Sequence, residues 1–179
     1  FLNFDSVSTS TSERITNSMN DGLSYNVGLN YRKTFADPKR VLTADAFYSY
    51  GDGNDESAYD ERFYDLDQII IGSPLLQNVA RPSINKDMSA QTDYVHPFKN
   101  GNQFERGIKY TKEIKDNTLF STSYNDETGI WSVDDSINNQ FIYNEDVAAA
   151  YLIWNSSIKK FGYQLGLRAE QTFTNSELV

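Results

Sequence analysis

The sequence has 179 residues, enough for one domain of ordinary size, with a net charge of −9 and no cysteine. The negative charge argues against a nucleic acid partner, because phosphates would be repelled, and the lack of cysteine excludes disulfides and thiolate metal sites. The sequence has no run of about 18 apolar residues, so it predicts no transmembrane helix. The low mean hydropathy of −0.59 does not exclude a membrane β-barrel, whose strands mix apolar residues with polar ones.

The first fifty residues predict two long strands after a polar start. Residues 1–10 read as a weak strand, and a loop rich in Ser, Thr and Asn covers 11–22. Strict alternation of apolar and polar residues then predicts a strand over 23–35. A short connection over 36–40 contains a proline, which bars a central strand there, and the chain returns as a second strand over 42–50.

The next segment, 51–81, is acidic and irregular. It predicts a long loop that contains strand extensions at 62–67 and 75–80. Its acidic start resembles a calcium-binding loop, but Ser57 stands where that loop requires Gly, and Phe63 where it requires Glu. A solvated charged loop is therefore the better interpretation than a calcium site.

A β-hairpin is predicted over 83–116, and its turn can be specified. A three-residue loop over 99–101 pairs Phe98 with Asn102 and Tyr94 with Arg106, which keeps even-numbered residues on one face of both strands. Gly101 then takes the left-handed position that such loops require. A two-residue loop would instead place the apolar face of one strand beside the polar face of the other.

The last third predicts a polar loop over 117–138, a strand over 140–154, a short turn over 156–158, and a final strand over 161–170. Both faces of the 140–154 strand are largely apolar, and Glu145 lies on one of them, so the sequence leaves the facing of this strand open.

The connections alternate between short and long, and aromatic residues gather near the short ones. This asymmetry is typical of up-and-down barrels in an outer membrane, with short periplasmic turns and long extracellular loops. Strands of about 12–15 residues are also longer than those of soluble sheets. We therefore expect an all-β, antiparallel up-and-down meander that forms a segment of a large transmembrane β-barrel. A soluble sandwich or lipocalin-like barrel, with the same alternation, is the alternative. The aromatics concerned are Phe35, Phe98, Phe104, Trp154 and Phe161.

Four stretches carry a family resemblance: QTDYVHPF at 91–98, FERGIKY at 104–110, FIYNEDVAAAY at 141–151 and YQLGLRAE at 163–170. In this order and spacing, they resemble the barrel of Bacteroidota-type TonB-dependent receptors, and the likeness extends over about residues 23–172. The resemblance implies a barrel of around 22 strands, plugged by a separate N-terminal domain, that takes up a bulky nutrient with energy from the TonB system. It implies location in the Gram-negative outer membrane.

Under this interpretation, residues 1–179 form a partial barrel domain of about seven or eight strands with no plug domain. Its partners would be outer membrane lipid, the plug and the remaining strands of the parent protein and, indirectly, the TonB system. No nucleic acid, cofactor or metal is expected. We expect Tyr25, Leu29, Ile108, Leu165 and Leu167 to face lipid. The predicted lumen-facing polar residues are Arg32, Asp93, Glu105, Lys109, Glu113, Arg168 and Glu170.

Two other functions remain open at this point. A self-contained small barrel, soluble or eight-stranded in the membrane, would pair the 1–10 strand with the strand that ends near Thr172. A barrel enzyme would need an assembled acid, base or nucleophile set. His96, the single histidine, sits beside Pro97 on an apolar face near a turn, which predicts an interfacial packing role. We therefore predict no catalytic residues and no enzymatic activity.

Overall fold

The computed structural model describes residues 10–179, which form one antiparallel sheet of seven strands in the order β1-β2-β3-β4-β6-β7, with β5 paired to the far end of β4. The strands are β1 Thr11–Thr34, β2 Val41–Tyr64, β3 Leu75–Pro97, β4 Gln103–Asn125, β5 Ile130–Val133, β6 Asn139–Ile158 and β7 Phe161–Leu178. Within this part of the chain, no helix is long and apolar enough to cross a membrane. The predicted antiparallel meander is confirmed.

The register between strands keeps apolar residues on one face of the sheet. Tyr25 pairs with Tyr50, Ala46 with Ala90, and Phe104 with Trp154. Because side chains alternate along a strand, these pairs place the odd residues of β1 and β7 on the same face as the even residues of β2, β3, β4 and β6. We call this the apolar face and the opposite one the polar face. The five predicted lipid-facing residues all lie on the apolar face.

The three short turns lie at one end of the sheet, the turn end. The predicted three-residue loop is confirmed: the Phe98 amide donates to the Asn102 carbonyl at 2.8 Å, and Gly101 has a φ of 84°. The first turn closes where the Phe35 amide donates to the Arg40 carbonyl at 3.1 Å. These turns fix the registers of β1–β2 and β3–β4.

The third turn differs from the prediction. The 156–158 turn was wrong, because the strand continues through Ile158, which pairs with Phe161. The loop is Lys159 and Lys160, and Lys159 has a φ of 56°. An apolar cross-strand pair therefore closes this hairpin, and the lysines occupy the exposed position.

The strands are much longer than the sequence predicts. The loops expected over 11–22 and 51–81 are mostly strand, because β1 begins at Thr11 and β2 continues to Tyr64. Both faces are polar in these regions, which removes the alternation that marks a strand, but the hydrogen-bonded register continues without a break. The long connections are confined to 65–74 and 126–138, at the loop end, where the second one includes β5. The 1–10 strand lies almost entirely outside the described residues.

The sheet is a single layer with two open edges. Within residues 10–179, β1 contacts only β2, and β7 contacts only β6. Val79 is the only buried hydrophobic side chain in the same range, and it lies on the polar face. No second layer covers the apolar face of the described strands, so their large apolar side chains stay exposed.

Candidate functional site

The polar face gathers the polar residues that the sequence singled out. All seven lie on it: Arg32, Asp93, Glu105, Lys109, Glu113, Arg168 and Glu170. The register also settles the open question of β6, since Glu145 and Tyr151 share this face while Ala148, Leu152 and Trp154 share the apolar one. That these residues line a lumen stays a prediction.

Ion pairs on the polar face run along strands rather than across them. Lys115 pairs with Glu113, and Arg168 with Glu170, each at 2.5 Å. Residues two positions apart on a strand point the same way, which brings these charges together. Among residues 10–179, the one cross-strand salt bridge joins Lys112 to Asp146, and it lies on the apolar face.

A tyrosine crosses one strand to reach a carboxylate on the polar face. Asp93, Gly107 and Tyr151 occupy one row across β3, β4 and β6. The Tyr151 hydroxyl donates to Asp93 over Gly107, where an added Cβ would collide with both side chains. Glycine is therefore required here for space, and the contact ties three strands together.

A second carboxylate, Glu105, is held by two amides. The side chains of Gln103 and Asn155 donate to it at 2.9 and 2.7 Å. The polar face near the turn end is therefore an ordered hydrogen-bond network built around Asp93 and Glu105.

The apolar face carries a band bounded by aromatic residues. Near the turn end, Trp154 packs against Phe98 and Phe104 with ring centroids 5.4 and 6.4 Å apart. At the other border, Tyr25 stacks on Tyr50 at 5.3 Å. Along β2 the band runs from Val41 to Tyr50, which at about 3.3 Å per residue is about 33 Å of strand. With the tilt of about 40° that is typical of outer membrane barrels, its height is about 25 Å, the height of their apolar band.

Between the aromatic borders lies an open depression of about 1100 Å³. Its floor is made of small side chains from four strands, and Ile108 and Tyr110 form a ridge in it. The lining alanines whose side chains lie on the apolar face are Ala44, Ala46, Ala90, Ala148, Ala150 and Ala169. A second depression, of about 470 Å³, shares Thr92, Ile108 and Ala150 with the first and leads to Arg106.

A basic aromatic cluster, formed by Lys33, Phe35, Arg40, Tyr94, His96 and Arg106, lies at the turn end of the apolar face. Arg40 donates to His96 Nδ1 at 2.8 Å, and the Tyr94 hydroxyl lies 3.2 Å from the same nitrogen. The His96 ring also lies 4.6 Å from that of Phe98, which shows that it packs among aromatic rings; that it does so at a membrane interface stays a prediction. The cations of this cluster were not singled out from the sequence, because they are far apart along the chain.

The cations of the cluster stand over aromatic rings. The Arg106 guanidinium lies 5.2 Å from the Tyr94 ring centre, and the Lys33 ammonium 5.1 Å from that of Phe35. In the described part of the chain, neither they nor Arg40 form a salt bridge. Aromatic faces orient these charges without neutralising them.

The loop end differs in chemistry. Ser73 donates to Asp126 at 2.5 Å and joins the two long connections. Exposed apolar residues lie at their tips, among them Ile69, Ile70 and Trp131. Most of the acidic segment that the sequence predicts to be a loop is the outer part of β2, where Arg62 pairs with Asp60 at 2.8 Å. Within residues 10–179, no cluster of His, Cys, Asp or Glu is grouped to hold a metal ion.

Comparison with known proteins agrees with this architecture. The model of the outer membrane protein beta-barrel family matches residues 33–179, which includes every strand from β2 to β7. No curated protein matches the chain significantly. Because the family model covers most of the sequence, the chain belongs to the outer membrane protein beta-barrel family, whose name places its members in the outer membrane of Gram-negative bacteria.

Proposed function

We propose that this chain forms part of the barrel wall of a larger TonB-dependent receptor that takes up a bulky nutrient, and that it has no enzymatic activity. The observation that supports the proposal best is the pair of open edges. The apolar band reaches both edges undiminished, with Leu29 on β1 70% exposed and Leu167 on β7 77% exposed. An open edge of this length would aggregate unless another strand paired with it.

The polar face supports the same proposal. Barrels wide enough to pass a nutrient have a polar, hydrated interior, and the network around Asp93 and Glu105 has the chemistry that such an interior requires. The four sequence stretches that resemble TonB-dependent receptors lie on β3, β4, β6 and β7. We infer that the remaining strands and a plug domain complete the barrel, and that the TonB system supplies the energy.

Refolding tests whether the chain is a segment. The chain alone and the longest polypeptide that carries it are each refolded into lipid vesicles and into buffer. Far-UV circular dichroism and heat-modified gel migration are the readouts. We expect a compact, heat-shifted band only for the longer polypeptide in lipid, because the chain alone leaves β1 and β7 unpaired. A compact monomer of the chain alone in lipid would support a self-contained barrel instead. A monodisperse β-protein in buffer would contradict the membrane assignment.

Hydrogen exchange distinguishes a segment of a larger barrel from a self-contained barrel, strand by strand. In a self-closed barrel, the amides of 23–31 on β1 and 165–173 on β7 would all be protected. In a segment that has lost its neighbours, the outward-pointing amides of both strands exchange quickly, while those of β3 and β4 stay protected. Protection of both edge strands in the isolated chain would overturn the segment proposal.

Transport is tested in cells. A strain without this protein is compared with its parent on nutrients too large for general porins. We expect loss of uptake of one such nutrient, and the same loss when the TonB protein is removed from the parent strain. Uptake that persists without TonB would contradict energised transport but would leave the barrel-wall proposal intact.

A further inference from the structure

The distribution of charge on the apolar face is asymmetric. Between the turn end and the row of Tyr110, the described strands carry no carboxylate on this face, whereas Lys33, Arg40 and Arg106 all lie there. At the opposite border Asp146 pairs with Lys112. In the described part of the chain, this border therefore has three cations and no carboxylate from the strands, and Asp37 of the first turn forms no salt bridge with them.

Two of the three cations are oriented by aromatic neighbours, although Arg106 and Lys33 are exposed and Arg40 is half-buried. Arg40 and Arg106 flank the Tyr94–His96 pair, Arg40 through its hydrogen bond to His96 and Arg106 over the Tyr94 ring. Their positions are fixed by aromatic packing, yet their remaining N–H groups are available. Guanidinium groups present a planar set of donors that fits phosphate oxygens, and a low-dielectric border strengthens such contacts.

The depressions lead from this cluster into the apolar band. The smaller one is lined by Phe35, Tyr94 and Arg106, and it opens into the alanine-floored one through Thr92, Ile108 and Ala150. An extended hydrocarbon chain fits such a path, since alanine side chains leave room that larger apolar residues would fill. Charge at one end and a narrow apolar path from it match the two parts of a lipid.

We propose that the basic aromatic cluster binds the phosphate of an anionic phospholipid, one acyl chain of which lies along the alanine-floored depression. The inference rests on the proposed function, because it requires the apolar face to contact lipid. The phospholipid belongs to the leaflet at the turn end, where the cations lie at headgroup depth.

Site-specific photocrosslinking tests the site. Leu152 pairs with Arg106 on the apolar face and is 47% exposed, so its replacement by benzoylphenylalanine places a photoreactive group beside the cluster. The longest polypeptide that carries the chain is reconstituted into vesicles with equal amounts of phosphatidylethanolamine and phosphatidylglycerol. Mass spectrometry then identifies the captured lipid. We expect phosphatidylglycerol adducts to exceed phosphatidylethanolamine adducts at least fivefold, because a single basic residue near an anionic headgroup contributes a factor of about five.

Matched variants define what each outcome means. Arg40→Gln with Arg106→Gln removes the phosphatidylglycerol preference, and Ala150→Phe, which blocks the path between the depressions, reduces it. Lys109→Gln keeps it, because Lys109 lies on the same strand as Arg106 but on the polar face. Capture of both lipids in equal amounts would overturn the site and leave the proposed function standing. No capture of any lipid would overturn both, because the apolar face would then not contact the membrane.

Discussion

The half of the sheet nearest the short turns (the turn-end half) and the half nearest the long connections (the loop-end half) are made of the same strands, but the chemistry of their faces differs. Toward the turns, the two faces are opposite in character, with alanines, aromatics and unpaired cations on one and a hydrogen-bonded carboxylate network on the other. Toward the loops, polar and charged residues stand on both faces among scattered apolar ones such as Met19 and Phe120. Asp52 and Asn54 lie on the same face of β2 as Ala44 and Ala46.

The difference shows what each half requires of its surroundings. Strands of 24 residues extend about 80 Å, far more than the roughly 9–11 residues that cross a bilayer. Only the half with unlike faces matches a bilayer on one side and water on the other. The half with like faces suits water on both sides, as expected of strands that extend past the membrane.

The largest difference in stability between the two halves is expected when a charge is placed on the apolar face. Ile108→Arg places a guanidinium near the middle of the apolar band, and we expect it to destabilise the folded state by about 2–4 kcal/mol in lipid. Phe120→Arg is the matched control, because Phe120 lies on the same strand and face but in the loop-end half. Urea unfolding from vesicles measures both variants. Equal destabilisation by the two would contradict the boundary between the halves.

The second largest loss of stability is expected at Gly107, over which Tyr151 contacts Asp93. Gly107→Ala forces a methyl group against Tyr151 and Asp93, and we expect a loss of about 1–3 kcal/mol through overpacking. Gly28→Ala is the control, since nothing lies within 4 Å of a Cβ there. Thermal or urea unfolding in lipid compares the two, and a neutral Gly107→Ala would show that the Tyr151 ring can move aside at little cost.

Hydrogen bonds of the two halves give a smaller contrast. Tyr151→Phe removes the bond to Asp93, which joins strands, and we expect a cost of about 1 kcal/mol. Tyr143→Phe removes the bond to Glu145, which is 2.7 Å long and lies within β6, and we expect it to cost less than the loss of the bond between β6 and β3. Urea unfolding of both variants under one condition compares their free energies of unfolding. A larger loss for Tyr143→Phe than for Tyr151→Phe would contradict the role of the cross-strand contact.

These contrasts also explain which features the sequence could predict. The alternation over 23–35 and the glycine of the 99–101 loop specify strand, face and register, because apolar spacing and a left-handed residue are local signals. The outer parts of β1 and β2 escaped prediction because like faces leave no periodicity, and only pairing with a neighbour reveals them. The third turn was misplaced since Ser156 and Ser157 resemble turn residues but pair with Tyr163 and Gly162.

The site features that escaped prediction have a common cause. The basic aromatic cluster joins residues from three strands, and its members become neighbours only once the registers of β1–β2, β2–β3 and β3–β4 are known. The contact of Tyr151 with Asp93 likewise depends on Gly107 lying between them. The face on which a residue lies can be predicted from the sequence of its own strand, whereas contacts between strands can be predicted only when the registers of the sheet are known.

The smallest expected effect concerns pH in the loop-end half. The hydrogen bond from Arg62 holds the pKa of the Asp60 carboxyl below its ordinary value. A depressed folded-state pKa favours the folded state above the unfolded pKa, and this contribution is lost as the pH falls through the lower, folded one. Arg62→Gln should raise the Asp60 pKa toward its ordinary value, which carboxyl NMR titration measures. Because the Arg62 side chain is 46% exposed and that of Asp60 29%, solvent screens the pair, and we expect no detectable change in melting temperature at neutral pH. A clear fall in melting temperature would show that the loop-end half depends on its ion pairs.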